Sequence, residues 1–359
     1  MKYIVFTYNI LTLCRAIKYT EKQWGKENTK IIYTDLVSPL PEQFKKDYNI
    51  TFLSSNNLDK LRGIHAIVES CQHAKSAWRL VDNFIKEDIE KKYTLVIFRD
   101  NEVQESTIIQ KVKKRYKNQI EVWLIEEGSG LYALDKVPIR YRLLKKIIFN
   151  LFNVSLYSLK NLTQGMNPNV DKIICTDIND IISQKNKLAF KEKMIDIFTE
   201  DFNSYIVNSV IGDKYKESNF DYVFLTQPFT DFRANYNEVL QSHEDLLPLI
   251  FEVLSKRGKT LIKLHPREQY DYSQYAGENV ILLDSKDLPF ECMMQMYSYP
   301  QMISMYSSAS INIKTQKPSI YLFKLFNIPG TEKLFPTDYF TKNNIILCNN
   351  IEEFSKALL

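Results

Sequence analysis

Short β-rich apolar runs alternate with stretches of helical period along nearly the whole chain, and this alternation limits the fold more than any other feature. The runs occupy residues 3–7, 30–34, 50–53, 93–98, 120–125 and 173–176, then 222–225, 260–264, 280–283, 303–305 and 345–347. Helical period covers 11–19, roughly 57–89, 107–116, roughly 188–208 and, despite Pro248, 238–257. Strands of three to six residues separated by helices predict parallel sheets with both faces covered. With 359 residues the chain has material for two such domains. The break is predicted after the helical stretch at 188–208, giving domains 1–210 and 211–359.

Composition excludes several classes. Apolar residues make up 45% and charged residues 25%, as in an ordinary globular protein, with no low-complexity tract. A formal charge of +4 is too small to predict nucleic-acid binding. Cys14, Cys71, Cys175, Cys292 and Cys348 are scattered, odd in number and without a Cys-x-x-Cys pair, which predicts reduced thiols. No signal-peptide pattern opens the chain and no run of 18 uncharged apolar residues occurs, so a cytoplasmic protein is expected. P-loop, Gly-x-Gly-x-x-Gly and Gly-x-Ser-x-Gly patterns are absent, which argues against nucleotide kinases, dehydrogenases and α/β-hydrolases.

Polar residues at strand ends carry the candidate chemistry, because open α/β sheets bind ligands beyond the carboxyl ends of their strands. The run at 260–264 delivers His265, Pro266 stops further pairing, and Arg267 follows, a sequence suited to meeting an anion. Taken alone, a His-Pro step is ordinarily no more than a strand end. Glu291 follows Pro289 at a predicted helix start, and Ser307 and Ser308 offer hydroxyl and backbone donors of the kind that hold phosphate. The run at 120–125 ends in Glu126-Glu127-Gly128. Adjacent carboxylates raise each other's proton affinity, one route to a general base, while a solvated turn is the plainer alternative.

The order Glu126-Glu127-Gly128, His265-Pro266, Glu291 and Ser307-Ser308 resembles the bacterial sialyltransferases of the lipooligosaccharide and capsule polysialyltransferase group. The resemblance implies a GT-B fold, two Rossmann-like domains with the active site in the cleft between them. It implies inverting transfer from CMP-sialic acid to a glycan acceptor, with one glutamate of the pair as base and His265 as hydrogen-bond donor or general acid. Some relatives draw the base from the other domain, which makes Asp231 a reserve. The resemblance further assigns Glu291 to the ribose and Ser307 and Ser308 to the phosphate. Gly128, Gln227, Pro266 and Arg267 fall beside these motifs as substrate-binding candidates. Neither a cofactor nor a metal is expected, since there is no Asp-x-Asp pair. A GT-B transferase for another nucleotide sugar and a non-catalytic glycan-binding protein are the alternatives. Acceptor, linkage and chain-extending ability are not distinguished by these motifs.

Residues 136–170 contain no acidic residue but include Lys136, Arg140, Arg142, Lys145, Lys146 and Lys160 among apolar residues. Residues 136–160 could meet the anionic inner face of a membrane or a charged acceptor. A core-packing helix with a basic outer face is the alternative. His65, His73 and His243 fall in helical stretches and suggest packing roles. Met293, Met294, Met296, Met302 and Met305 suggest core filling.

Overall fold

The computed structural model describes residues 1–34, 42–55, 63–132, 139–152, 154, 164–182, 186–195, 219–228, 236–283, 286, 288–293, 300–307, 309, 313, 317–328, 335 and 338–359. The chain divides into two compact units, Met1–Ile197 and Phe198–Leu359. The sequence break expected at 210/211 lies outside the described residues.

The first unit is built on a seven-stranded sheet of order β3-β2-β1-β4-β5-β6-β7, every neighbouring pair parallel. Its strands are β1 Lys2–Thr7, β2 Thr29–Thr34, β3 Ile50–Leu53, β4 Tyr93–Ile97, β5 Ile120–Ile125, β6 Lys172–Cys175 and β7 Phe190–Lys193. The helices include α1 Ile10–Tyr19, α2 Glu42–Asp47, α3 Gly63–Lys86, α4 Val103–Tyr116, α5 Ile139–Leu151 and α6 Ile178–Ile182. Val5, Phe6, Ile32, Leu95, Val96, Val122 and Leu124 are buried on the sheet, as expected for strands covered on both faces. Helix α1 starts where Asn9 caps it: its side-chain oxygen accepts from Thr12 N at 2.8 Å, and Thr12 Oγ1 accepts from Asn9 N at 3.3 Å.

The helical stretch expected at 188–208 is corrected in part: residues 190–193 form β7 at the sheet edge, and 196–208 lie outside the described residues. Phe-Lys-Glu-Lys has no continuous apolar face, because an edge strand keeps its charges in water and guards the edge with them.

The second unit carries a six-stranded parallel sheet, β10-β9-β8-β11-β12-β13. These strands are β8 Tyr222–Leu225, β9 Thr260–Lys263, β10 Val280–Leu283, β11 Gln301–Ser304, β12 Ser319–Tyr321 and β13 Ile345–Leu347. Strand β12 had no counterpart in the sequence analysis, since Ser319-Ile320-Tyr321 follows Pro318 and holds a single aliphatic residue. Helix α7 Tyr236–Arg257 continues through Pro248 and buries Leu247, Ile250, Phe251 and Leu254. Met293, Met302 and Met305 are buried as expected, whereas Met294 and Met296 lie outside the described residues.

In each sheet the strand order reverses direction once, between β1 and β4 and between β8 and β11. Such switch points leave a crevice at the carboxyl ends of the strands, where ligands of open α/β sheets bind. The loop ends there are tied down by side chains. Buried Asp100, beyond β4, accepts from Gly165 N at 2.8 Å and Asn167 N at 2.9 Å. Replacing Asp100 with alanine leaves two buried amides without acceptors, each costing about 1–3 kcal/mol. Urea unfolding is expected to show a loss of about 2–5 kcal/mol for Asp100→Ala and a smaller one for Asp100→Asn, which keeps an acceptor.

Candidate functional site

Two groups of polar residues sit at the carboxyl ends of the two sheets, and they account for most of the residues singled out by sequence. In the first unit β5 ends at Glu126-Glu127. Successive residues of an extended chain point to opposite sides, and the two carboxylates follow that rule. Glu126 is only 1% exposed. Its Oε2 accepts from Tyr132 Oη at 2.6 Å and from Thr176 N at 2.6 Å, and its Oε1 from Thr176 Oγ1 at 3.1 Å. Its backbone N–H donates to Ile174 O at 2.8 Å, and its carbonyl accepts from Nη1 of the fully buried Arg15 on α1. Glu126 therefore fastens β5 to β6, α1 and the turn at Ser129–Leu131.

Glu127 is half-buried and has a different donor set. Tyr8 Oη donates to its Oε2, and Asn9 Nδ2 donates to its Oε1 at 2.6 Å. The two carboxylates thus have separate donor sets. Tyr8 is buried, and its hydroxyl is held well above the usual phenol range by burial and by the neighbouring Glu127 carboxylate. The Arg99 guanidinium lies 3.7 Å from the centre of the Tyr8 ring, and Arg99 Nε donates to Glu105 Oε1 at 2.9 Å. Tyr8, Asn9 and Arg99 were not singled out by sequence as site residues. Their signal was position: they follow β1 and β4, the strands that flank the switch point.

In the second unit the end of β8 joins its two neighbours. Thr226 Oγ1 accepts from His265 N at 2.9 Å, beyond β9, and Gln227 Oε1 accepts from Tyr306 N at 2.8 Å, beyond β11. His265 and Ser307 are thereby brought to the same end of one sheet, on either side of the β8 terminus. The turn at His265 is closed by Glu268 N donating to His265 O at 2.9 Å. Arg267 N donates to His265 Nδ1 at 3.1 Å. A neutral imidazole that accepts at Nδ1 carries its proton on Nε2, so the outward nitrogen is a donor. Burial, with help from the Arg267 and Lys263 cations, pushes His265 down to about 4.

Pro266 is half-buried and Arg267 exposed, and Gly128 is half-buried behind Glu127. Ser307 is half-buried, its Oγ accepting from Ala309 N at 3.3 Å and its carbonyl from Tyr321 Oη at 2.6 Å. Glu291 is buried in the first turn of the helix Phe290–Met293, where the carboxylate matches the helix dipole. Ser308 and Asp231 lie outside the described residues. His243 takes no part in this group. It is buried on α7, 3.0 Å from Tyr272 Oη, and burial pushes it down to about 3.

Comparison with known proteins bears on what such an arrangement does. Among solved structures, the GT-B domain of a Photobacterium damselae sialyltransferase is similar at a TM-score of 0.50 and 12% identity, over 96% of this chain and 99% of that one. A 2,6-sialyltransferase of Photobacterium sp. JT-ISH-224, in complex with CMP and lactose, is similar at 0.52 and 13% identity, over 96% and 78%. A Methanocaldococcus jannaschii UDP-GlcNAc 2-epimerase is equally similar, at 0.52 and 14%, over 99% and 91%. At these identities the likeness establishes the fold, GT-B with two Rossmann-like units, as expected from the sequence. No curated protein matches the chain's sequence. The family model for alpha-2,8-polysialyltransferases (POLYST) matches residues 4–318. That match spans most of the chain, with the first sheet and strands β8 to β11 of the second. The chain belongs to the alpha-2,8-polysialyltransferase family, and its activity is sialyl transfer.

Proposed function

We propose that the protein moves sialic acid from CMP-sialic acid to a hydroxyl of a sialylated surface glycan, in a single displacement with inversion, and that Glu127 is the base. The acceptor oxygen bonds to the anomeric carbon as the bond from that carbon to the CMP phosphate breaks. The acceptor proton passes to Glu127, and the bonding electrons leave on the phosphate oxygen. One observation carries the choice of base: the Glu126 carboxylate is buried and engaged by three donors, whereas Glu127 is half-buried with two. A base needs a free lone pair within reach of the proton it takes.

His265 acts in this proposal as a hydrogen-bond donor rather than a general acid. A phosphate monoester has its second pKa at about 6, so CMP can depart without being protonated. What the leaving oxygen needs is a preorganised donor that is stronger for the developing charge than for the bound donor substrate. The Nε2–H of a neutral imidazole meets that need. Ser307 and Ser308 are assigned to the phosphate and Glu291 to the ribose by motif order, with Gly128, Gln227, Pro266 and Arg267 lining the substrate. No metal or other cofactor is required on this account, because these donors take up the phosphate charge.

The same proposal includes a membrane contact through α5. Among the described residues no helix is long and apolar enough to cross a membrane. Helix α5 is anchored by Phe149, which packs with Cys71, Ala74 and Val154. Among its described side chains, four large aliphatic ones are exposed. Leu144 is 56% exposed, Ile147 57% and Leu151 81%, with Leu143 also exposed. Burying each such side chain is worth about 1.5–3 kcal/mol. A helix whose sequence also carries Arg140, Arg142, Lys145 and Lys146 suits an anionic bilayer, where each cation adds about 1 kcal/mol. Residues 133–138 and 155–163 of the basic stretch lie outside the described residues.

Glu127→Gln is expected to cut turnover by about 10²–10⁴-fold with CMP affinity retained. Glu126→Gln should instead lower stability, by about 1–3 kcal/mol, with the folded fraction still active. Steady-state kinetics beside urea titration separates the two, and a severe loss confined to Glu126→Gln would reverse the assignment.

Histidine ring NMR should find the His265 Nε2–H tautomer and a titration midpoint near 4. Both His265 and His243 are depressed below the ordinary value of 6.5. Their contribution to stability is therefore complete above pH 6.5 and is lost as pH falls through about 4 and about 3 respectively. A ring titrating near 6.5 would return His265 to general acid chemistry.

Vesicles containing anionic phospholipid should carry the protein upward in a flotation gradient, and neutral vesicles should not. Leu144→Ser with Ile147→Ser should weaken that binding about 10-fold or more, because two aliphatic groups no longer leave water.

A further inference from the structure

The switch point of the first sheet brings together three groups that the proposed chemistry has not yet used. Tyr8 and Asn9 follow β1, Arg99 follows β4, and Glu127 follows β5, so a residue on one side of the crevice reaches across β4 to the carboxylate on the other. We propose that Tyr8, with Asn9, is a positioning residue for the base: the two side chains each grip one oxygen of Glu127 and fix the direction of its remaining lone pairs. This inference rests on Glu127 being the base, as argued above.

Each partner is itself held. Asn9 is bound at both ends of its amide, since Oδ1 caps α1 at Thr12 N and Nδ2 reaches Glu127 Oε1 at 2.6 Å. Its side chain cannot rotate without uncapping the helix. The Tyr8 backbone N–H donates to Thr12 Oγ1 at 3.2 Å, and its ring is buried under the Arg99 guanidinium, 3.7 Å away. Arg99 is in turn fixed by Glu105, 1% exposed, on α4. A cation over the ring face makes the phenol a stronger donor toward the carboxylate. Burial and the Glu127 charge keep the Tyr8 proton in place, so Tyr8 donates and does not compete as a base.

The charged and titratable groups around Glu127 come from every element packed there. They are Tyr8 from the β1 end, Arg15 on α1, Glu126 on its own strand, and Arg99 with Glu105 behind Tyr8. Among the described residues, Tyr8 and the neutral Asn9 donate directly to its carboxylate. Losing either donor should do two things at once. The carboxylate gains freedom to rotate, which costs rate, and it takes up a proton more readily, because donors to the ionised form favour that form.

The test compares Tyr8→Phe and Asn9→Ser with wild type and with Glu127→Gln, using the full chain. Serine still caps α1 but cannot reach Glu127, so Asn9→Ser keeps the inference testable if Tyr8→Phe folds poorly. For Tyr8→Phe, kcat should fall about 10–10²-fold, the scale of a misplaced reacting group, with KM for CMP-sialic acid changed less than threefold. The acidic limb of kcat/KM should move to higher pH in both variants, a readout that a merely structural role would not move. In the Glu127→Gln background, Tyr8→Phe should have no further effect on the residual rate. Folded variants with wild-type kcat and an unmoved acidic limb overturn the positioning role. An active Glu127→Gln protein overturns the base assignment instead, so the two failures are told apart.

Discussion

The first unit depends on the burial of Glu126. A carboxylate removed from water costs several kcal/mol unless its lone pairs are filled, and here three donors fill them. Those donors belong to the ends of other elements, Thr176 beyond β6 and Tyr132 beyond the turn at Ser129–Leu131. The ends cannot drift without stranding the charge. Arg15 completes the arrangement from below, its buried guanidinium set on the Glu126 carbonyl. The peptide that carries Glu126 is thereby held on both its carbonyl and its side chain. Glu127, the next residue, inherits a fixed Cα and must point to the other side. A rigid residue presents its neighbour.

The second unit achieves the same end with neutral groups. The two residues after β8 each accept from the backbone beyond an adjacent strand, Thr226 from His265 and Gln227 from Tyr306. In a parallel sheet the strand ends are otherwise joined only through long crossovers. A pair of side-chain acceptors at the switch point replaces that missing connection. It also sets His265 and Ser307 on either side of one strand end. The His265 turn then uses a backbone amide, Arg267 N, to decide which ring nitrogen keeps its proton. That choice cannot be altered by a surface substitution, because it is made by the main chain.

Much of the fold was legible in the sequence. The runs at 50–53, 120–125, 222–225, 280–283 and 345–347 are the observed strands to the residue, because they are rich in β-branched and aromatic residues and end abruptly. Charged β7 lacks that signature and β12 holds a single aliphatic residue, and neither was found as a strand. The chemistry was legible by type more than by geometry. Glu126 and Glu127 stand out as a pair, but their division of labour depends on Thr176 and Tyr132, which lie far along the chain or carry no charge. Tyr8 and Asn9 resemble an ordinary strand end and helix cap, and only the strand order reveals that they face Glu127. The aliphatic face of α5 was visible as amphipathic character, yet its direction was not. Periodicity identifies a face and leaves open whether it meets the core or the solvent.

Both candidate groups hold ionic or polarised atoms with neutral donors, and a chemical reason favours this. A guanidinium in direct contact with a carboxylate reduces its proton affinity by about 10–10³-fold, which suits a structural ion and hinders a base. Glu105 has such a partner in Arg99, which opposes the burial that raises the proton affinity of this carboxylate. Glu127 has Tyr8 and Asn9, which orient it without a full opposing charge. Arg99 is kept one ring away, acting through the phenol it covers. In the proposed mechanism the same logic applies at His265, whose neutral ring would strengthen its bond to the phosphate oxygen as charge arrives there. A permanent cation at that spot would bind the ground-state phosphate almost as strongly, and uniform binding does not raise turnover. On the proposed reading, neutral donors to the base and to the leaving group leave the gain for the moment when the proton and the electrons move.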